Sequence, residues 1–345
     1  MKSTRLDIPA TGIDSLTWCG DTLVDGVGGG RVFFLDGRCE DPHVAWAFPF
    51  DAAQATEDGR FAVVYQRGGT KALLLHDGEI LRELNRSYYC AHAYEYPICL
   101  WQRADGRSLL AHCPEAYCQI DIEDAASGER LTRGTRKPPD FFHSRLAVNR
   151  AGTRLLSAGW VWHPVDAVVY YDVDEALRQP QHLDSIERGA PHSRDVCLAE
   201  ETSACWQTDT RVLLGGSGEE DRERVEETEG RRLRPGGIAV YDVVSRAYVS
   251  SIVLGQTPGT IMPLGAEWAV CFYGHPSSSR FSPARSSSGG RISTAASRRA
   301  AFSAAEDSTS RRSRWIRNAG GSRSLARTAS PSSSSIHRPV RSSPR

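Results

Sequence analysis

A short unit returns every 39–57 residues and constrains this chain more than any other feature. Each copy is an apolar segment, a Gly- or Asp-centred turn, a second apolar segment and an aromatic or β-branched run that ends in Asp. The turns read Cys19-Gly20-Asp21, Glu57-Asp58-Gly59, Ala104-Asp105-Gly106, Arg150-Ala151-Gly152, Thr208-Asp209-Thr210 and Leu264-Gly265-Ala266. Their Gly or Asp turn positions (20, 59, 106, 152, 209 and 265) form one ladder, and the closing aspartates at 36, 77, 121, 172 and 242 form a second in the same order. Short strands recurring at this period predict a radial β array, a propeller of four-stranded blades.

The segments between the turns support that reading. Phe33-Phe34-Leu35, Leu73-Leu74-Leu75 and Val168-Val169-Tyr170-Tyr171 are apolar at consecutive positions. A strand of that kind has to bury both faces, as it does when stacked between neighbouring blades. The pattern predicts five full units over 15–254 and a sixth beginning at Gly259–Pro263 and Glu267–Tyr273. Outer strands are expected at Val44–Phe48 in the first unit, Arg130–Thr132 in the third and Gln181–Ser185 in the fourth. The third unit's third strand is expected at Tyr117–Ile122. A helical repeat is excluded because Pro and Gly interrupt every longer window.

Leu146-Ala147-Val148-Asn149-Arg150-Ala151-Gly152-Thr153-Arg154-Leu155-Leu156-Ser157-Ala158-Gly159 resembles the first two strands of a WD-repeat blade. Ile238-Ala239-Val240-Tyr241-Asp242-Val243 resembles the third, with Tyr where the signature Trp would stand. The resemblance covers 13–275 in outline, without the Gly-His and Trp-Asp dipeptides. It implies a ring of four-stranded blades serving as a binding platform without catalysis.

The zero net charge hides two parts. Residues 276–345 hold 14 Arg, 22 Ser and no Lys, with Glu306 and Asp307 as their only acids. Eight large apolar residues in that stretch are too few for a core, so disorder is expected there. The first 275 residues carry 40 acids against 28 bases, of which 25 are Arg and three Lys. That bias marks GC-rich codons, and such a gene read out of frame yields Arg, Ser, Ala, Pro and Gly. The change also falls at Tyr273-Gly274-His275-Pro276, inside a unit, so residues 1–275 are read as an incomplete propeller and 276–345 as a frameshift product. The competing readings of the tail are an inert extension and a basic arm touching nucleic acid through phosphates.

Nine cysteines without a Cys-x-x-Cys pair are expected as buried free thiols in a reducing cytoplasm. No stretch reads as a signal peptide or a membrane span.

Three stretches interrupt the rhythm, and loops on a rigid scaffold are where function concentrates. The first runs from Arg86 to Tyr96 and offers Tyr88, Tyr89, His92 and Tyr94 as an aromatic recognition surface. A metal site from Cys90, His92, His112 and Cys113 has poor ligand spacing. The second combines Phe142 and His143 with Trp160, Trp162 and His163. This is an apolar surface with polar handles, of the kind favoured at interfaces. A triad of Ser144, His143 or His163, and Asp166 lacks a nucleophile elbow. The third, Gly218–Arg234, is acidic then basic and reads as a solvated loop.

The expectation is therefore an all-β propeller of five full blades and a partial sixth, from a six- or seven-bladed parent fold. Its predicted function is a cytoplasmic, non-catalytic scaffold for a protein or small ligand, with no cofactor. The alternative is a metal-dependent hydrolase or lactonase of the propeller type.

Overall fold

The computed structural model describes residues 8, 10, 12–161, 165–186, 199–216, 233–234, 236–254, 256–273 and 275–280. Five of the ladder positions do what a tight hairpin asks of glycine. Gly20, Gly59, Gly106, Gly152 and Gly265 all adopt positive φ, between 54° and 84°, where a Cβ would be strained. Asp209, at the fifth position, uses another device. Its Oδ1 accepts from Ala151 N at 2.8 Å, and its carbonyl accepts from Asn149 Nδ2 at 3.0 Å.

Around these turns the chain forms six antiparallel sheets in sequence order. Sheet 1 contains β1 (Thr17–Cys19), β2 (Thr22–Asp25), β3 (Arg31–Phe34) and β4 (Cys39–Glu40). Sheet 2 contains β5 (Ala52–Ala55), β6 (Phe61–Tyr65), β7 (Lys71–His76) and β8 (Glu79–Asn85). Sheet 3 contains β9 (Ile98–Gln102), β10 (Ser108–His112) and β11 (Asp121–Asp124), with a single bridge from Glu123 to Arg130 at its outer edge. In sheet 4 the first strand is split. Both β12 (Phe141–Phe142) and β13 (Ala147–Val148) pair with β14 (Arg154–Val161), which also pairs with β15 (Val165–Asp172). Sheet 5 contains β16 (Ala199–Trp206), β17 (Arg211–Gly216), β18 (Gly237–Asp242) and β19 (Ala247–Val253). Sheet 6 contains β20 (Thr260–Leu264), β21 (Trp268–Tyr273) and β22 (His275–Arg280).

The first strands pack in succession, β1 on β5, β5 on β9, β9 on β13, β13 on β16 and β16 on β20. Their sheets stack like blades, and the fold is a β-propeller. Alternation along each strand then feeds two different cores. Leu213 joins Ile261 and Cys271 of sheet 6, whereas Val212 and Leu214 join Leu156 and Ala158 of sheet 4. Val212, Leu213 and Leu214 of β17 are all buried, which is why the middle strands read as unbroken apolar runs.

The outer positions depart from expectation. Val44–Phe48 is not a strand, because it lies between Pro42 and Pro49 while Cys39–Glu40 takes the edge of sheet 1. The fourth unit has no strand at Gln181–Ser185. Helix α1 (Val173–Arg178) and a 3₁₀ turn (Pro180–Asp184) stand there instead, with Asp172 accepting from Glu175 N as the N-cap. Val173, Ala176 and Leu183 bury that segment against sheets 3 and 4. The third unit's third strand begins at Asp121 rather than Tyr117, and its closing aspartate is Asp124. Asp124 accepts from Ser127 N and meets Arg107, as Asp242 accepts from Ser245 N and meets Arg211. Asp121 is instead buried beside Arg136 and Thr132. Sheet 6 continues past the expected break, with β22 paired to β21 from Tyr273↔His275 to Trp268↔Arg280. The remainder of the tail, 281–345, lies outside the described residues.

Antiparallel order separates the two faces of the disc. The turns between first and second strands leave from one face and are short throughout, as are those after the third strands of sheets 1, 2 and 5. Connections from second to third strands, and from each sheet to the next, leave from the other face. Residues 41–51, 86–97, 113–120 and 217–236 are such connections. Two further long segments, 125–140 and the one that begins at Val173, start instead from the turn face, at the ends of β11 and β15, and reach the other face before the next sheet begins.

Candidate functional site

The loop between β8 and β9 is held from beneath by one arginine. Arg86 is buried, and its guanidinium donates to the carbonyls of Gly69, Arg67, Ala91 and Tyr94 at 2.6–3.1 Å. The same group lies over the rings of Tyr94 and Tyr96, at 4.5 and 4.9 Å from their centroids. Burial pulls the Arg86 guanidinium down from its ordinary value, and burial pushes the Tyr94 phenol up to about 12. Backbone carbonyls and aromatic faces therefore stabilise this cation. Cys90 adopts φ of +50° ahead of the 3₁₀ turn Ala91–Ala93, which turns the loop back toward β9.

On this base, two stretches far apart in sequence meet in one aromatic column. The Trp160 ring lies 3.9 Å from that of Phe142 with 2° between their planes. Tyr117 stacks on Phe142 at 4.2 Å and 20°, and Tyr89 lies 5.1 Å from Tyr117. Tyr94 meets Phe142 edge-on at 5.4 Å. Phe142 is fully buried at the centre, while Tyr89 is 49% and Tyr88 79% exposed at the loop tip. The column thus runs from the interior to the surface on the long-loop face.

Polar groups fix its flanks. Tyr117 Oη donates to Asp140 Oδ1 at 2.6 Å, and this bond to a carboxylate raises the phenol above its usual value. Glu95 closes the loop toward the neighbouring sheets. It accepts from Tyr65 Oη at 3.4 Å and faces Arg145 Nε at 3.4 Å. Arg145 has φ of +43° within the interruption between β12 and β13, where Ser144 Oγ donates to Glu95 O at 3.2 Å.

Of the residues expected at a surface, the structure brings together Tyr89, Tyr94, Phe142 and Trp160. Tyr88 and His92 are exposed on the same loop. Trp162 and His163 lie outside the described residues, as does Gly218–Arg234 up to Leu233. His143 is turned inward and takes no part in a surface: it is fully buried with Nδ1 3.0 Å from Ser157 Oγ. Burial pushes its imidazole down to about 3, so it is neutral. Tyr117 and Asp140 were not anticipated. Their signal is topological, since 113–120 leaves from, and 125–140 arrives at, the face that carries the Arg86–Tyr96 loop and the end of β14.

Among the described residues, no group of three or more His, Cys, Asp or Glu is arranged to hold a metal. Cys113 is buried, with its thiol pushed up by burial. No helix of the described residues is long and apolar enough to cross a membrane.

No family model matches the chain, and no curated protein does. Solved structures do. The chain is similar to one in the crystal structure of a mitotic checkpoint complex, with 13% identity over 79% of this chain and 82% of that one, at a TM-score of 0.46. It is also similar to the hydrazine synthase of Kuenenia stuttgartiensis, with 14% identity over 78% of this chain and 76% of that one, at a TM-score of 0.48.

Proposed function

We propose that this propeller is a non-catalytic cytoplasmic scaffold that binds a protein or small ligand on its long-loop face. The observation that carries the reading is the aromatic column. It joins the Tyr88–Tyr96 loop to the end of β14 and presents Tyr88 and Tyr89 to solvent above a buried Phe142. Rigid aromatic anchors on a fixed base recognise partners at low entropic cost, and such residues dominate binding energy when covered. The loop's own shape is set by Arg86 and Glu95, so the anchors are preorganised.

The test compares the full chain with Tyr88→Ala/Tyr89→Ala and with Leu81→Ala, a control in the outermost strand of sheet 2. Stoichiometric binding of one partner, weakened at least tenfold by the tyrosine changes and kept by the control, supports the reading. Equal binding by all three forms, or metal-dependent hydrolysis of a lactone or ester by the purified chain, would overturn it.

A further inference from the structure

Five apolar clusters are present among the described residues, one for each pair of successive sheets. None joins sheet 6 to sheet 1, and β20 does not pack on β1 as the five earlier pairs of first strands pack. The register explains what this leaves open. Ile261, Ala269 and Cys271 face sheet 5, so Met262, Leu264 and Phe272 point the other way, with Val270 opposite Met262. Met262, Leu264 and Phe272 are all exposed, at 39–50%. At the other end Gly26 abuts Ala53 of sheet 2, and the register puts Trp18, Phe33 and Leu35 on the opposite face, where Phe33 is buried but Leu16, Trp18 and Leu35 at its margin are exposed. An exposed apolar face on sheet 6 and an exposed apolar margin on sheet 1 thus stand at the two ends of the described array.

What should cover them follows from a mismatch between place and residues. Strand β22 holds the third place of its sheet, where the other sheets have Val32-Phe33-Phe34, Leu73-Leu74-Leu75, Val168-Val169-Tyr170-Tyr171 and Ile238-Ala239-Val240. It reads His275-Pro276-Ser277-Ser278-Ser279-Arg280. Proline removes a ladder donor, the three serines bring nothing to a two-sided core, and no Asp closes the strand. All that follows is rich in Ser and Arg, in a chain whose first 275 residues use 25 Arg to three Lys.

We infer that the reading frame leaves the propeller's own frame near His275, and that Met262, Leu264 and Phe272 are the seat of one further blade encoded in another frame of the same gene. That blade meets Leu16, Trp18 and Leu35 on its far side and completes the ring. The length fits. At a period of 39–57 residues, the codons for 276–345 suffice for the two outer strands of sheet 6 and one full blade. The residues actually present there, with eight large apolar side chains, cannot supply it. The inference concerns the ends of the array and is independent of the binding face.

The test begins with the gene. Translation of the other two frames beyond codon 275 is expected to show an aromatic or β-branched run closed by Asp, then a strand–turn–strand unit. The present full chain and the frame-restored chain are then compared by hydrogen exchange and sedimentation. Restoration should slow exchange at 260–272 and 16–18 by at least tenfold and give a monomer. The idea is overturned if neither frame carries the pattern, or if exchange at both ends is unchanged on restoration. It is also overturned if the present chain is a discrete dimer that Phe272→Asp dissociates, since a second copy would then be what covers the face.

Discussion

The Trp160 ring lies parallel to that of Phe142, 3.9 Å away, although 18 positions separate them and their strands run in opposite directions. Cross-strand pairing places them opposite each other in β12 and β14, and pairs of this kind are the unit of sheet stabilisation. Phe142 also carries Tyr117, Tyr89 and Tyr94. Phe142→Ala should therefore cost about 3–5 kcal/mol of stability, the range for a buried aromatic. Urea denaturation with near-ultraviolet circular dichroism reads both the loss and the loosening of the column. A change below about 1 kcal/mol would show that Phe142 is not its keystone.

Gly159 is the reason β12 can approach β14 so closely. A Cβ at this position would run into the carbonyl oxygen of Phe142. Gly159→Ala should push β12 away and weaken the aromatic dichroism more than Gly68→Ala, which adds a methyl in open space. Identical spectra and melting temperatures for the two variants would contradict the packing.

The buried imidazole of His143 gives stability a pH dependence with a definite sign. Its folded value of about 3 lies below the unfolded value of ~6.5, so the unfolded chain binds the proton first as pH falls. Stability is fully present above pH ~6.5 and declines from there toward 3, at up to about 1.4 kcal/mol per unit. Denaturation midpoints between pH 7 and 4.5 should show this slope in the native chain and a flatter one in His143→Gln. Parallel slopes would remove His143 as the cause.

Asp25 organises the start of the array. It is fully buried, accepts from Ser15 N and Gly28 N at 2.9 and 2.8 Å, and pairs with Arg31 Nη2 at 2.7 Å. Removing one member of a buried pair leaves the other uncompensated, at about 3–5 kcal/mol. Asp25→Ala should unfold sheet 1 before the rest, seen as fast amide exchange at 17–34 while 98–112 stays protected. Uniform protection would mean that water takes over the carboxylate's bonds.

The sequence made the middle of each blade legible and the rim less so. Lys71–His76 is the strand the pattern predicts, because Leu74 is fully buried and Leu75 nearly so, on opposite faces of the strand. At the rim, where one side meets water, Val44–Phe48 looked as apolar as any strand yet forms none. Asp172 with Glu175 three residues on was a helix-start signal that the repeat drowned out. The candidate site was half visible. Tyr89 and Trp160 stood out by type, but Tyr117 and Asp140 acquire meaning only when the face they stand on is known. His143 shows the converse, since nothing in Phe141-Phe142-His143 tells which ring turns inward.

The contrast between the short turns that join first to second strands and the longer loops of the opposite face gives the molecule two rates of change. On the turn face, Gly59 or Gly152 sets a hairpin's geometry, and an inserted residue would shift a strand by one place and exchange its buried and exposed sides. On the other face, doubling a flexible loop adds only about 0.6 kcal/mol of closure entropy. One side of the disc thus acts as the chassis, and the other can acquire new recognition while the blades beneath keep their register.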